Sequence, residues 1–212
     1  MFKKILIILS LFSLTALQAE VFVPGTDYTV VNITAPKQNP IQVIEFFNYG
    51  CPWCALAEPT VEVWKAGLPS NVNFQRVPLT FESGWDTYAK AYYLARALNI
   101  EPKITHDLFI AIHGQNDMQD NDLSSMSSIT TFFAAHGVSA ATVQQAFNSP
   151  TMASNLQQGP AMMQQYNVNA IPTFVVCSRY TVTLGQGQAP GQDPKLAPAR
   201  MMAVVNYLIK QC

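Results

Sequence analysis

Two of the four cysteines in this 212-residue chain, Cys51 and Cys54, frame Pro52 and Trp53 in a C-x-x-C unit. Thiols at that spacing cycle between dithiol and disulfide, supply half of a tetrahedral zinc site, or anchor a haem. Ala55 follows the second cysteine, so the C-x-x-C-H haem signature is absent. The unit lies between an apolar run, Ile41 to Phe47, and a segment of helical pattern. That strand-to-helix junction is where a thiol becomes acidic and reactive, because the positive end of a helix stabilises a thiolate.

Cys51 is the expected nucleophile, with the unpaired backbone N–H groups of residues 53 and 54 directed at its sulfur. Cys54, one turn deeper, should keep an ordinary or raised pKa, which suits a thiol that attacks only to release a mixed disulfide. Pro52 falls where its missing N–H costs nothing and its fixed φ favours the helix start. Trp53 is either an aromatic contact for an unfolded client or a plain surface residue. Glu45 is an ionisable group within the apolar run and must be paired or hydrated.

The elements that position these residues follow from the hydrophobic pattern. Ile41 to Phe47 reads as a buried strand, and Pro52 to about Ala66 as a helix with Leu56, Val61, Val63 and Trp64 apolar and a kink at Pro59. Val72 to Leu79 reads as a second strand with Val72, Phe74 and Val77 facing the core. From Gly84 to Gln165 the pattern is almost wholly helical: Asp86 to Leu98, Asp107 to His113, Ser127 to His136, a helix capped by Ser139, and Thr151 to Tyr166 bent at Gly159-Pro160. Asn169 to Thr173 then leads into the β-branched run Phe174 to Cys177, a turn at Ser178-Arg179, a strand from Tyr180 to Leu184, and a last amphipathic helix from Pro198 to Lys210. A β-rich piece from Tyr28 to Thr34 precedes them all.

The first residues read as an export signal, with Lys3 and Lys4 ahead of an apolar stretch from Ile5 to Leu17 and a cleavage point near Ala19. The stretch is shorter than the roughly 20 residues of a membrane span. Export to an oxidising compartment makes disulfides permissible. A formal net charge of −1 and only 12% charged residues give no electrostatic footprint for nucleic acid or anionic lipid. Partners are expected to be held by apolar and backbone contacts, and no metal is expected: His106, His113 and His136 show no ligand spacing.

This order of elements, with C-P-W-C opening the first helix and Ile171-Pro172-Thr173 opening the penultimate strand, resembles an α/β thioredoxin fold with an inserted helical domain. More narrowly, the chain resembles the DsbA-like thiol:disulfide oxidoreductases of the periplasm. The likeness rests on Val43-Ile44-Glu45-Phe46-Phe47 ahead of Cys51, the Pro between the cysteines, Pro59, and Ile171-Pro172. It implies a signal peptide over 1–19, a thioredoxin-like domain over 20–83 and 167–212, and a helical insert over 84–166.

The resemblance further implies a cis peptide at Pro172 facing the disulfide, with the backbone of Ile171 free to pair with an extended client. It makes Glu45 a buried acid beneath Cys54 and Arg76 its basic partner, in a proton relay or in a structural ion pair. In the implied topology Cys177 lies about 16 Å along a strand from Pro172, and the last helix carries Cys212 about 20 Å the same way. A structural disulfide at the distal end or two unpaired thiols then follow.

In this family the nucleophilic thiol falls to about 3.5, a family property and not one deduced from this chain. Trp53 stands where the family's commonest motif has His, so a less extreme value is expected here. The implied activity is donation of the Cys51–Cys54 disulfide to unfolded exported proteins, with no cofactor beyond that disulfide, a monomeric state, and reoxidation by a DsbB-like quinone-linked membrane protein. The alternatives are a reductase or isomerase kept reduced by a membrane thiol donor, and a metal-binding or chaperone module using the thiols as ligands.

Overall fold

A computed structural model describes residues 21–31, 34–114 and 122–212; the expected signal peptide lies outside them. Apolar and β-branched residues between turns give five strands: β1 (Thr29–Val30), β2 (Ile41–Phe47), β3 (Val72–Pro78), β4 (Thr173–Val176) and β5 (Tyr180–Thr183). They form one mixed sheet in the order β1-β5-β4-β2-β3, in which β2 and β3 run parallel and the other neighbours antiparallel. α1 (Pro52–Ala66) connects the parallel pair. Among the described residues, five helices lie between β3 and β4: α2 (Trp85–Ala97), α3 (Glu101–His113), α4 (Met126–Ala135), α5 (Ala140–Phe147) and α6 (Pro150–Gln165). α7 (Ala197–Ile209) closes the chain. This is the thioredoxin fold with a helical insertion.

Local chemistry sets the helix ends. Ser125, Ser139 and Ser149 each accept a hydrogen bond from the backbone N–H three residues on, capping α4, α5 and α6. Pro160 is accommodated inside α6. At the preceding position a Cβ would press to 2.7 Å from the Pro78 carbonyl, so Gly159 lets α6 lie directly on β3.

The buried apolar residues fall into two clusters. One joins Ile44, Phe46 and Phe47 of β2 to the inserted helices. The other joins Val43, Phe174 and Val176 to α7 and to Ala57, Val61 and Trp64 of α1. Rings meeting edge-on anchor the first: Phe47 lies 5.2 Å from Tyr49 and 5.1 Å from Tyr92, and Tyr49 lies 5.0 Å from Phe109.

Several sequence expectations are corrected. Val77 joins the first cluster while Val72 and Phe74 pack against the second, because an odd spacing puts residues on opposite faces of a strand. Val63 is 77% exposed; the buried stripe of α1 is Cys54, Ala57, Glu58, Val61 and Trp64, which follows the helical period. α3 begins at Glu101 rather than Asp107, using Pro102 in its first turn. Among the described residues of the β-rich piece from Tyr28 to Thr34, Thr29–Val30 pair as a strand.

Candidate active site

β2 and the turn after it deliver the first cysteine. The buried side chain of Asn48 donates to the carbonyls of Leu79 and Trp85 at 2.9 and 3.1 Å and accepts from the Gly50 N–H at 2.8 Å. The Asn48 carbonyl receives the Cys51 N–H at 3.1 Å. A Cβ on Gly50 would collide with Trp85 and Tyr88, so the turn needs glycine there. Cys51 is thereby fixed as the N-cap of α1, with Pro52 in its first turn.

Cys51 and Cys54 are unbonded and both buried. The Cys51 sulfur accepts from the Cys54 backbone N–H at 3.4 Å and its thiol faces the Ile171 carbonyl at 3.7 Å. The Ile171–Pro172 peptide is cis, as the resemblance implies. A hydrogen bond from the Cys54 thiol, aided by the backbone N–H groups of Cys54 and Trp53, holds the Cys51 pKa below the ordinary thiol value against the effect of burial. Cys54 moves the opposite way: burial pushes its thiol well up, and the neighbouring Cys51 and Glu45 add to the rise. Two thiols one turn apart therefore have different chemistry, one an anion at lower pH and the other a held proton.

Behind them lies a buried ionic cluster. Arg76 of β3 stands opposite Glu45 of β2 in the parallel register and donates to it at 2.6 Å. The same guanidinium donates to Glu58 of α1 at 2.7 Å and reaches Glu62 and Glu101 at 3.4 and 3.6 Å. It also faces the rings of Phe47 and Phe74. Burial raises the carboxyl of Glu45 and pushes that of Glu58 up to about 8 against the pull of Arg76. Sequence reasoning missed Glu58; its signal was the spacing of four from Cys54, which puts both on one helix face. Asn48 and Gly50 were missed as well, and no sequence feature beyond their position before Cys51 marked them.

Trp53 is 54% exposed and lines a hollow of about 370 Å³ with Ile171, Thr183, Leu184 and Gln188. Cys177 and Cys212 are joined by a disulfide with a Cα–Cα distance of 6.1 Å. The Cys177 N–H bonds the Gln42 carbonyl, at the end of β2 away from Cys51, so these sulfurs do not gather with the first pair. His136 pairs through its Nε2 with Asp107 at 3.2 Å.

Comparison with known proteins agrees with this geometry. The family model described as a DSBA-like thioredoxin domain matches residues 42–194. The thiol:disulfide interchange protein DsbA of Burkholderia cepacia is 34% identical over 191 residues, covering 88% of this chain and 84% of its own. The protein of the same name from Pseudomonas aeruginosa is 29% identical over 204 residues, covering 95% and 90%. Among solved structures, the E82I variant of Pseudomonas aeruginosa DsbA superposes with a TM-score of 0.77 at 25% identity, covering 90% of this chain and 98% of its own. The DsbA oxidoreductase of Xylella fastidiosa gives 0.75 at 27%, covering 91% and 98%. The chain belongs to the DSBA-like thioredoxin family.

Proposed function

We propose that this protein is a thiol:disulfide oxidoreductase that works as an oxidase, passing the Cys51–Cys54 disulfide to unfolded exported proteins. The opposed pKa shifts of Cys51 and Cys54 carry the reading, because a stabilised thiolate favours the reduced protein and so makes its disulfide a ready oxidant. A client thiolate attacks the Cys51 sulfur; the client–Cys51 bond forms and the Cys51–Cys54 bond breaks. Cys54 leaves with the electron pair and takes a proton. A second client thiolate then attacks the client sulfur of the mixed disulfide, and Cys51 departs as a thiolate. The client has lost two electrons, the protein has gained them, and one proton has gone to Cys54 while the other is released.

The residues around the sulfurs have distinct parts in this scheme. Glu45 and Glu58, held by Arg76, supply the proton that Cys54 takes, through water. Pro52 starts the helix that stabilises Cys51, and the cis bond at Pro172 presents the Ile171 carbonyl beside the sulfur. An extended client pairs with the backbone of Ile171 and seats an apolar side chain in the hollow against Trp53. Cys177 and Cys212 staple the fold and take no part in exchange. The insert over 84–166 forms one unit against a thioredoxin-like domain over 20–83 and 167–212. The protein acts in the periplasm after removal of residues 1–19, with no cofactor but its disulfide, and a DsbB-like quinone-linked membrane oxidase regenerates it.

Mixing the disulfide form with a reduced, unfolded protein tests the assignment. Two client thiols should disappear for each Cys51–Cys54 dithiol formed, and a Cys54→Ala variant whose Cys51 is first capped as a thionitrobenzoate mixed disulfide should release thionitrobenzoate as a client thiolate bonds to Cys51. Client thiols that persist while the protein stays oxidised would overturn it.

A further inference from the structure

The hollow beside Cys51 has one wall made of a glycine-rich loop. Residues 185–192 contain three glycines at positive φ, Gly185, Gly187 and Gly191, and such a loop loses much conformational freedom when fixed. It is nevertheless held in place, and its ties lead to the segment before β1. Asp27, 4% exposed, forms an ion pair with Arg200, which lies one turn beyond Ala197 on α7. The second oxygen of Asp27 accepts the Val23 N–H at 2.8 Å, and Arg200 covers the ring of Phe22 at 5.5 Å. A Cβ on Gly187 would collide with the Asp27 carboxylate, so the loop runs directly over it. Gln186 also donates to Thr29 at 3.2 Å.

Gly185 and Gln188 of this loop line the hollow, and so does Ala197 at the start of α7. Both of those wall elements therefore meet at one buried carboxylate. We infer that Asp27 is a positioning residue for client peptides: by pairing with Arg200 beneath Gly187 it fixes the width of the cleft beside Cys51. The inference rests on the reading of the hollow as the client seat. It separates two properties of the protein, since the thiolate at Cys51 is set by α1 and the cis-Pro172 loop, whereas the seat is set from the segment before β1.

The test uses the disulfide form of the full mature chain in single-turnover reactions with two reductants. One is a synthetic peptide with two cysteines in an extended apolar sequence; the other is dithiothreitol, too small to need the cleft. Asp27→Asn should raise the half-saturating peptide concentration about tenfold, while the maximal rate and the dithiothreitol rate stay within about twofold. The redox equilibrium with glutathione should be unchanged. Gly187→Ala, whose added Cβ presses on the Asp27 carboxylate from the half-buried loop, moves the same wall and should give the same pattern even if Asp27→Asn unfolds.

Gln188→Trp, which fills the hollow directly, distinguishes the two levels of the argument. If it weakens peptide saturation and neither Asp27→Asn nor Gly187→Ala does, the positioning role is wrong and the seat stands. If none of the three affects the peptide, the seat itself is wrong. A parallel loss with dithiothreitol would mean that Asp27 acts on the sulfurs, which also contradicts the inference.

Discussion

The two cysteine pairs differ in everything except residue type. Cys51 and Cys54 lie three residues apart at the start of α1, unbonded, with their pKa values driven in opposite directions. Cys177 and Cys212 lie 35 residues apart, bonded to each other, and join the turn after β4 to the residues beyond α7. The first pair has backbone N–H groups and a buried acid cluster beside it. The second has β2 backbone on one side, and the Cys212 sulfur lies 3.3 Å from the Leu208 carbonyl. Position separates the two pairs: a thiol at a helix N-terminus has its anion stabilised, while the thiols at the distal strand end are bonded to each other.

The sharpest contrast comes from removing each pair in turn. Cys51→Ser should lower client oxidation by about 10³-fold or more, with little change in melting temperature. Replacing Cys177 and Cys212 together by Ser should leave the oxidation rate within about twofold but cost about 4 kcal/mol of stability in the chain-entropy model, read by urea unfolding. Equal losses of activity from both changes would erase the distinction.

A second prediction concerns the acid cluster of Glu45, Glu58 and Arg76. The carboxyl of Glu58 is raised in the fold, so its contribution to stability is fully present below about pH 4.3 and is lost as pH rises through about 8. Glu58→Gln cannot ionise, and it should remove that decline between pH 4.3 and 8. It should also slow release of Cys54 as a leaving thiol by about threefold to tenfold and flatten the pH dependence of that step. An unchanged pH profile would reduce the cluster of Glu45, Glu58 and Arg76 to a structural ion pair.

The smallest expected effect is at Trp53. An imidazole offers the Cys51 thiolate a donor or a charge where the indole presents a large exposed face. Trp53→His should lower the Cys51 pKa by about one unit, which corresponds to a potential about 30 mV more oxidising. Titration of the thiolate absorbance measures the first and glutathione equilibration the second. A rise in pKa would show that the indole itself supports the anion.

Much of this contrast was legible in the sequence, for physical reasons. β2 announces itself as a short apolar run between turn residues, and α1 by Pro52 and its period, so the junction holding Cys51 could be placed at once. Ile171-Pro172 needed the family likeness, since a Pro before a strand is otherwise unremarkable. Glu58 is a charged residue on the buried face of α1, which the apolar pattern alone does not mark, and Val63, apolar by type, points to solvent. Asp27 and Arg200 escaped for a different reason: 173 residues separate them, and no local pattern reports a pairing at that range. The turn residue Asn48 is fixed by carbonyls from two later elements, which a local reading does not bring together.

Whether the Cys51–Cys54 disulfide is an oxidant is decided by its reduction potential. The mature protein, with Cys177 and Cys212 replaced by Ser in a parallel sample, would be equilibrated with defined glutathione buffers and its free thiols trapped and counted. A disulfide oxidant should show a potential above about −150 mV in both samples. A value near −250 mV or lower would contradict it and place the protein among reductases built on the same fold.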